Sequence, residues 1–166
     1  MSRLDSFIAR MQAQKLLLDA VAAELNRATA TLPGPAFELG LGNGRTYDHL
    51  REILQNRRIV AFDRALLANP KSVPPPEDLI LGEIEETGPA FARQHGAIGA
   101  LLHADLGNGV AADEERLRRW LGPTILAMAR PGAIVITSTR LDHDQLRPEM
   151  LQAEVPAGRY FVYRRR

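Results

Sequence analysis

The 166-residue chain contains no cysteine, which removes disulfides, thiolate metal centres and cysteine nucleophiles from consideration. It also lacks a dominant charge. Twenty-one lysines and arginines face 20 acids, a formal net charge of +1, so no global field draws nucleic acid or a membrane surface to it. Lysine is nearly missing (Lys15 and Lys71), and arginine supplies the other 19 cations, a bias of GC-rich bacterial codon usage rather than of chemistry. No apolar run approaches the roughly 20 residues that span a bilayer. The opening stretch MSRLDSFIAR is amphipathic and carries an acid, so it does not read as a secretory signal. These absences predict a cytoplasmic protein without membrane or nucleic-acid partners. The closing Arg164 to Arg166 reads as a solvated basic end, with a phosphate or partner contact as the alternative.

What is present is ordinary for a globular chain: 45% hydrophobic and 25% charged residues. The length suits one domain over 1–166, with a helical segment at 1–31, a core at 36–138 and a short C-terminal part at 139–166. Leu4, Phe7, Ile8, Met11, Leu18, Val21, Ala22 and Leu25 recur at helical steps and predict an amphipathic helix to about Thr29, stopped by LPGP. After it, strands and helices alternate. Strands are expected over Ala36–Gly40, Arg58–Asp63, Asp78–Ile84, Ala97–Gly107, Gly132–Ser138 and Arg159–Arg165. Leu50, Ile53 and Leu54 mark one helix, and Glu114 to Ala129 is another. This order argues for an α/β fold: a doubly wound, mainly parallel, Rossmann-like sheet with helices on both faces and an antiparallel last strand. PKSVPPPE reads as a loop.

The turn AFELGLGNGRT, Ala36 to Thr46, carries glycines at alternate positions after a short strand. Such a turn lets a ligand approach the backbone closely, and the following helix offers unpaired N–H groups. A dinucleotide fingerprint needs a third small residue where this chain has Arg45, which argues against a nucleotide- or NAD-linked protein. The pattern Glu38-x-Gly40-x-Gly42-x-Gly44 instead resembles the first motif of the class I S-adenosylmethionine-dependent methyltransferases. The resemblance implies that Gly40, Gly42 and Gly44 pass beneath the methionine part of the cofactor, with Asn43 and Thr46 in the same stretch. Glu38 would hold its amino group, directly or through water.

Asp63 stands 23 residues after Gly40, near the roughly 20-residue spacing at which an acid meets a ribose. In the resembled family this acid, here followed by Arg64, binds the ribose hydroxyls; a cap for the segment FDRALL is the structural alternative. Gly82, Glu83 and Ile84 would surround adenine, although Asp is commoner than Glu at the second position; a surface turn is the alternative. HADLG, with His103, Asp105 and Leu106, would lie beneath the transferable methyl. His103 also reads as a satisfied interior histidine. Asp105, nearer the strand mouth, is expected to be the catalytic residue closest to the acceptor, with His103 about 6–7 Å deeper.

HADLG is not the Asn/Asp-Pro-Pro-Tyr/Phe motif of enzymes that methylate exocyclic amines of nucleic acid. A small-molecule acceptor is expected, with S-adenosyl-L-homocysteine as the cofactor product. A carboxylate cluster of Asp105 with Asp142 or Asp144 has unconvincing spacing, and no metal is expected. A non-catalytic S-adenosylmethionine-binding or scaffold module of the same fold is the alternative function. The apolar stripe from Leu4 to Leu25 predicts a homodimer or higher homo-oligomer.

Overall fold

The computed structural model describes residues 2–107, 110–150 and 159–166. Helix α1 spans Arg3–Arg27 and opens with a capping box, in which Ser2 Oγ accepts from the Asp5 N–H while the Ser2 N–H donates to the Asp5 carboxylate. Then follow β1 (Ala36–Leu39), α2 (Arg45–Ile53), β2 (Ile59–Asp63) and β3 (Leu79–Leu81). The chain continues through α3 (Ile84–His95), β4 (Gly99–Ala104), α4 (Ala111–Met128) and β5 (Ala129–Thr137), and closes with β6 (Leu146–Pro148) and β7 (Phe161–Arg165).

The sheet order is β3-β2-β1-β4-β5-β7-β6. The first five strands are parallel, and β7 runs antiparallel to both β5 and β6. The chain winds outward from β1 to β3 and then crosses back to place β4 beside β1. That reversal opens a crevice at the carboxyl ends of β1 and β4, the place where doubly wound sheets take ligands.

Strand alternation divides the core between two faces. Beneath α1 and α2 lie Ala36, Leu101, Ile134 and Ile136 with Leu18, Val21, Leu25 and Leu50. Beneath α3 and α4 lie Phe37, Phe62, Leu102 and Val135 with Phe91, Leu121, Ile125 and Met128. Phe37, Phe62 and Phe91 meet edge to face with centroids 5.3–5.8 Å apart, each pair adding about 0.5–1.5 kcal/mol beyond area burial.

Several elements differ from the sequence expectations. Leu4, Phe7 and Ile8 belong to the helical stripe but are exposed, because α1 reaches the sheet only from its middle onward. The third strand is three residues long: Gly82 breaks it with φ +139°, and Glu83 and Ile84 begin α3. The fourth strand is also shorter than Ala97–Gly107, whereas the fifth starts earlier, at Ala129, across a register shift that accommodates Pro131. Helix α3 escaped prediction because Gly88 and Pro89 interrupt its pattern, and β6 because it is short. PKSVPPPE and the Asp78 after it contain two short 3-10 turns, Pro70–Ser72 and Pro76–Asp78. Arg164 is not a solvated end, since it lies in β7 and donates to Glu24 and Glu149, each at 2.8 Å.

Candidate functional site

The site is built at the mouth of β1. Gly40 takes φ +94°, and a Cβ there would run into the side chain of Leu106. Gly42 takes φ +51° and faces open space, with nothing within 4 Å of where its Cβ would stand. Its N–H donates to Asp63 Oδ2 at 2.8 Å, while Asp63 Oδ1 accepts from the Ala65 N–H at 3.3 Å. Asp63 therefore braces the glycine turn and caps its own loop at once.

Above these groups lies a cavity of about 560 Å³, within the range usual for small-molecule sites. Eight of the expected residues line it: Gly40, Gly42, Asp63 and Arg64 on one side, then Glu83, Ile84, Asp105 and Leu106. The far wall comes from α4, whose Leu117 and Trp120 supply an apolar surface and whose Asp113, Glu114 and Arg116 supply charge. The helix expected over Glu114 to Ala129 thus contributes a wall that no motif marks, the acids after HADLG being its one sequence signal.

Six expected residues do not line the cavity. Gly44 opens α2, and a Cβ there would meet Ser72 and Ala68, so the turn at 68–72 packs closely against it. The Asn43 carbonyl accepts from the Asn69 N–H at 3.0 Å, and Thr46 faces a crevice between α1 and α2. Gly82 provides the turn into α3. Glu38 and His103 lie behind the cavity, because both point to the α1 face of the sheet. Parallel pairing sets them opposite each other, and Glu38 Oε2 meets His103 Nδ1 at 2.8 Å. His103 is the satisfied interior histidine, at 0% exposure.

Electrostatics tie this pair to the cavity. Burial pushes the His103 imidazole toward neutrality, but the Glu38 carboxylate, with Asp105 behind it, more than offsets this and raises its pKa above the usual value. Burial likewise pushes the Glu38 carboxyl up, against the opposing pull of His103. Asp105 Oδ2 accepts three bonds: from Arg10 at 2.7 Å, from Gln14 Nε2 at 3.1 Å and from the Tyr160 hydroxyl at 3.1 Å. Gln14 Nε2 also stands 3.3 Å from His103 Nε2. Arg10, Gln14 and Tyr160 were absent from the sequence prediction. The one sequence signal was Gln14, a polar residue on the stripe between Met11 and Leu18 that is 7% exposed. Among the described residues there is no group of three or more potential metal ligands.

A protein family described as S-adenosyl-L-methionine methyltransferase matches residues 1–165. Among solved structures, an S-adenosyl-L-methionine methyl transferase from Silicibacter pomeroyi DSS-3 is 43% identical, with a TM-score of 0.90 over 100% of this chain and 99% of its own. Cofactor-bound Rv0187 from MTB is similar with a TM-score of 0.60 and 16% identity, over 98% of this chain and 88% of its own. The antibiotic-resistance methyltransferase Kmr gives 0.54 and 12%, over 87% and 92%. At such identities the last two share the fold alone. No curated protein matches the chain.

Proposed function

Because this chain belongs to the S-adenosyl-L-methionine methyltransferase family, we propose that it methylates a small-molecule acceptor received at the Asp105 end of the cavity. The residues present suit the cofactor: the space above Gly42 admits a chain that a Cβ would obstruct, and Asp63 offers carboxylate lone pairs beside it. In this reading Gly40 and Gly42 pass beneath the methionine part, Asp63 takes the ribose hydroxyls, and Glu83 and Ile84 border adenine. The cofactor supplies a methyl group made electrophilic by its sulfonium.

The protein's own work is then alignment and exclusion of water, which convert the transfer into an intramolecular encounter. Asp105 is the polar side chain best placed to meet an acceptor. Its Oδ2 is held by Arg10, Gln14 and Tyr160, and among the described residues no donor reaches Oδ1. Oδ1 would orient an acceptor hydroxyl or amine and take its proton where the acceptor has one to lose. Self-association belongs to the same reading, with the exposed Leu4, Phe7, Ile8 and Leu16 of α1 as the contact face.

One observation carries the choice of a small acceptor. Six carboxylates (Asp63, Glu83, Glu85, Asp105, Asp113 and Glu114) line the cavity against two guanidiniums, Arg64 and Arg116. Polyphosphate backbones bind through the opposite balance. The test is formation of S-adenosylhomocysteine with a panel of small phenols, amines, thiols and carboxylates beside ribosomal and transfer RNA. Turnover with a small compound and none with RNA is expected; turnover with RNA alone would refute the proposal.

A further inference from the structure

A side-chain amide nitrogen carries two protons and no lone pair to share. Gln14 Nε2 lies within reach of two acceptors, Asp105 Oδ2 at 3.1 Å and His103 Nε2 at 3.3 Å. It bonds both only when His103 Nε2 is bare, with the ring's single proton on Nδ1 facing Glu38 at 2.8 Å. A second proton, on Nε2, would confront the amide protons with a donor. Turning the amide over gives that proton Gln14 Oε1 as an acceptor, at the cost of the bond to Asp105. Gln14 is 7% exposed and His103 0%, so water offers no easy substitute at the contact between them, while Asp105, its side chain 13% exposed, borders the cavity.

We propose that Gln14 is a positioning residue whose amide orientation follows the proton on His103 Nε2 and gives or withholds a hydrogen bond to Asp105 accordingly. The charged and titratable groups facing His103 are few: Glu38 from β1, Asp105 beyond the end of β4, Arg10 from α1 across Asp105, and Tyr160 before β7. The neighbouring position on β5 is Ile136, which brings no charge. Burial opposes the second proton, but Glu38 and Asp105 outweigh it and draw that proton onto the ring at a higher pH than an ordinary histidine takes it. The consequence for the site is direct. Asp105 Oδ2 has three donors when His103 is neutral and two when it is charged, so the carboxylate that faces the acceptor is more loosely held in the charged state. This inference rests on the proposed role of Asp105 only for its functional consequence; the coupling itself is a property of the folded chain.

The test is NMR of the full chain, with 15N-labelled histidine and glutamine and 13C-labelled aspartate carboxyls. His49, His95 and His143 are replaced by glutamine so that His103 alone of the four histidines remains; single replacements assign it by subtraction if the triple variant does not fold. At alkaline pH, Nε2 should show the shift of an unprotonated ring nitrogen. As the pH falls, Nε2 should gain its proton with a midpoint above 6.5, and the Gln14 side-chain NH2 signals should move with that same midpoint. The Asp105 carboxyl should step in parallel, and the step should shrink at least two-fold in Gln14→Met, or in Gln14→Leu if the first variant fails to fold. Gln14 signals that stay fixed through the His103 titration, or an Asp105 step undiminished without Gln14, would overturn the proposal. Asp105→Asn that keeps full turnover would refute the role of Asp105 instead, leaving the coupling measurement untouched.

Discussion

The backbone N–H of Gly42 donates to Oδ2 of Asp63 at 2.8 Å, joining the glycine turn after β1 to the acid that ends β2. Two parts of the site that are 21 residues apart in sequence are therefore one mechanical unit. A ligand seated on the turn also rests on the carboxylate, and damage to either should be felt at both.

Asp63→Ala should weaken S-adenosylmethionine and S-adenosylhomocysteine together. Loss of hydrogen bonds to a charged acceptor costs about 1.5–3 kcal/mol, or roughly 10- to 150-fold in affinity. Asp63→Asn should lose less, because its amide keeps one acceptor oxygen. Calorimetric titration reads both. An alanine variant with lowered thermal stability and unchanged affinity would show that Asp63 only braces the turn.

Gly42→Val should abolish cofactor binding in a protein whose circular dichroism remains native. No atom stands within 4 Å of the added Cβ, so packing does not oppose it. The φ of +51° costs a side chain about 1–2 kcal/mol, which a fold of ordinary stability survives. Normal binding by a folded valine variant would remove this turn from the cofactor seat.

These two positions were legible in the sequence because each makes its own local statement: a glycine where a turn needs positive φ, and an acid at a strand end. Glu38 and His103 were not legible in the same way. Each was located on the correct strand, but their partnership depends on the parallel register between β1 and β4, which no local pattern encodes. Gln14, Arg10 and Tyr160 converge on Asp105 from elements 55 to 95 residues away in sequence, a relation that only the packing of α1 and the return of β7 creates. The alternation of strands and helices was readable throughout, apart from α3 with its internal glycine and proline and the three-residue β6.

Tyr160 should be distinguishable by its titration. Burial and the Asp105 carboxylate push its hydroxyl up to about 12, against the opposing pull of Arg10. An unfolded tyrosine ionises near 10. The proton held by the folded chain thus contributes stability that is present in full below about pH 10 and lost as the pH rises through about 12. Urea unfolding at pH 8 and at pH 11.5 should show a smaller alkaline loss in Tyr160→Phe than in the wild type. Equal losses would mean that Tyr160 ionises like a free tyrosine.

Self-association should appear in sedimentation as a dimer or larger species. Leu4 is 65% exposed and Phe7 48%, on the part of α1 that the sheet does not cover. Phe7→Asp should shift the population toward monomer with little effect on stability, since that side chain is already half in solvent. A wild-type monomer of about 18.3 kDa at high concentration would reject this face as a self-contact.

The proposed seat of S-adenosylmethionine is the crevice between Gly40, Gly42 and Asp63. Calorimetric titration of the wild-type chain with S-adenosylhomocysteine, with NAD in parallel, tests it most directly. One S-adenosylhomocysteine should bind per chain, with that binding lost in Gly42→Val and no heat from NAD. Binding of NAD instead, or of S-adenosylhomocysteine with equal affinity to wild type and folded Gly42→Val, would contradict it.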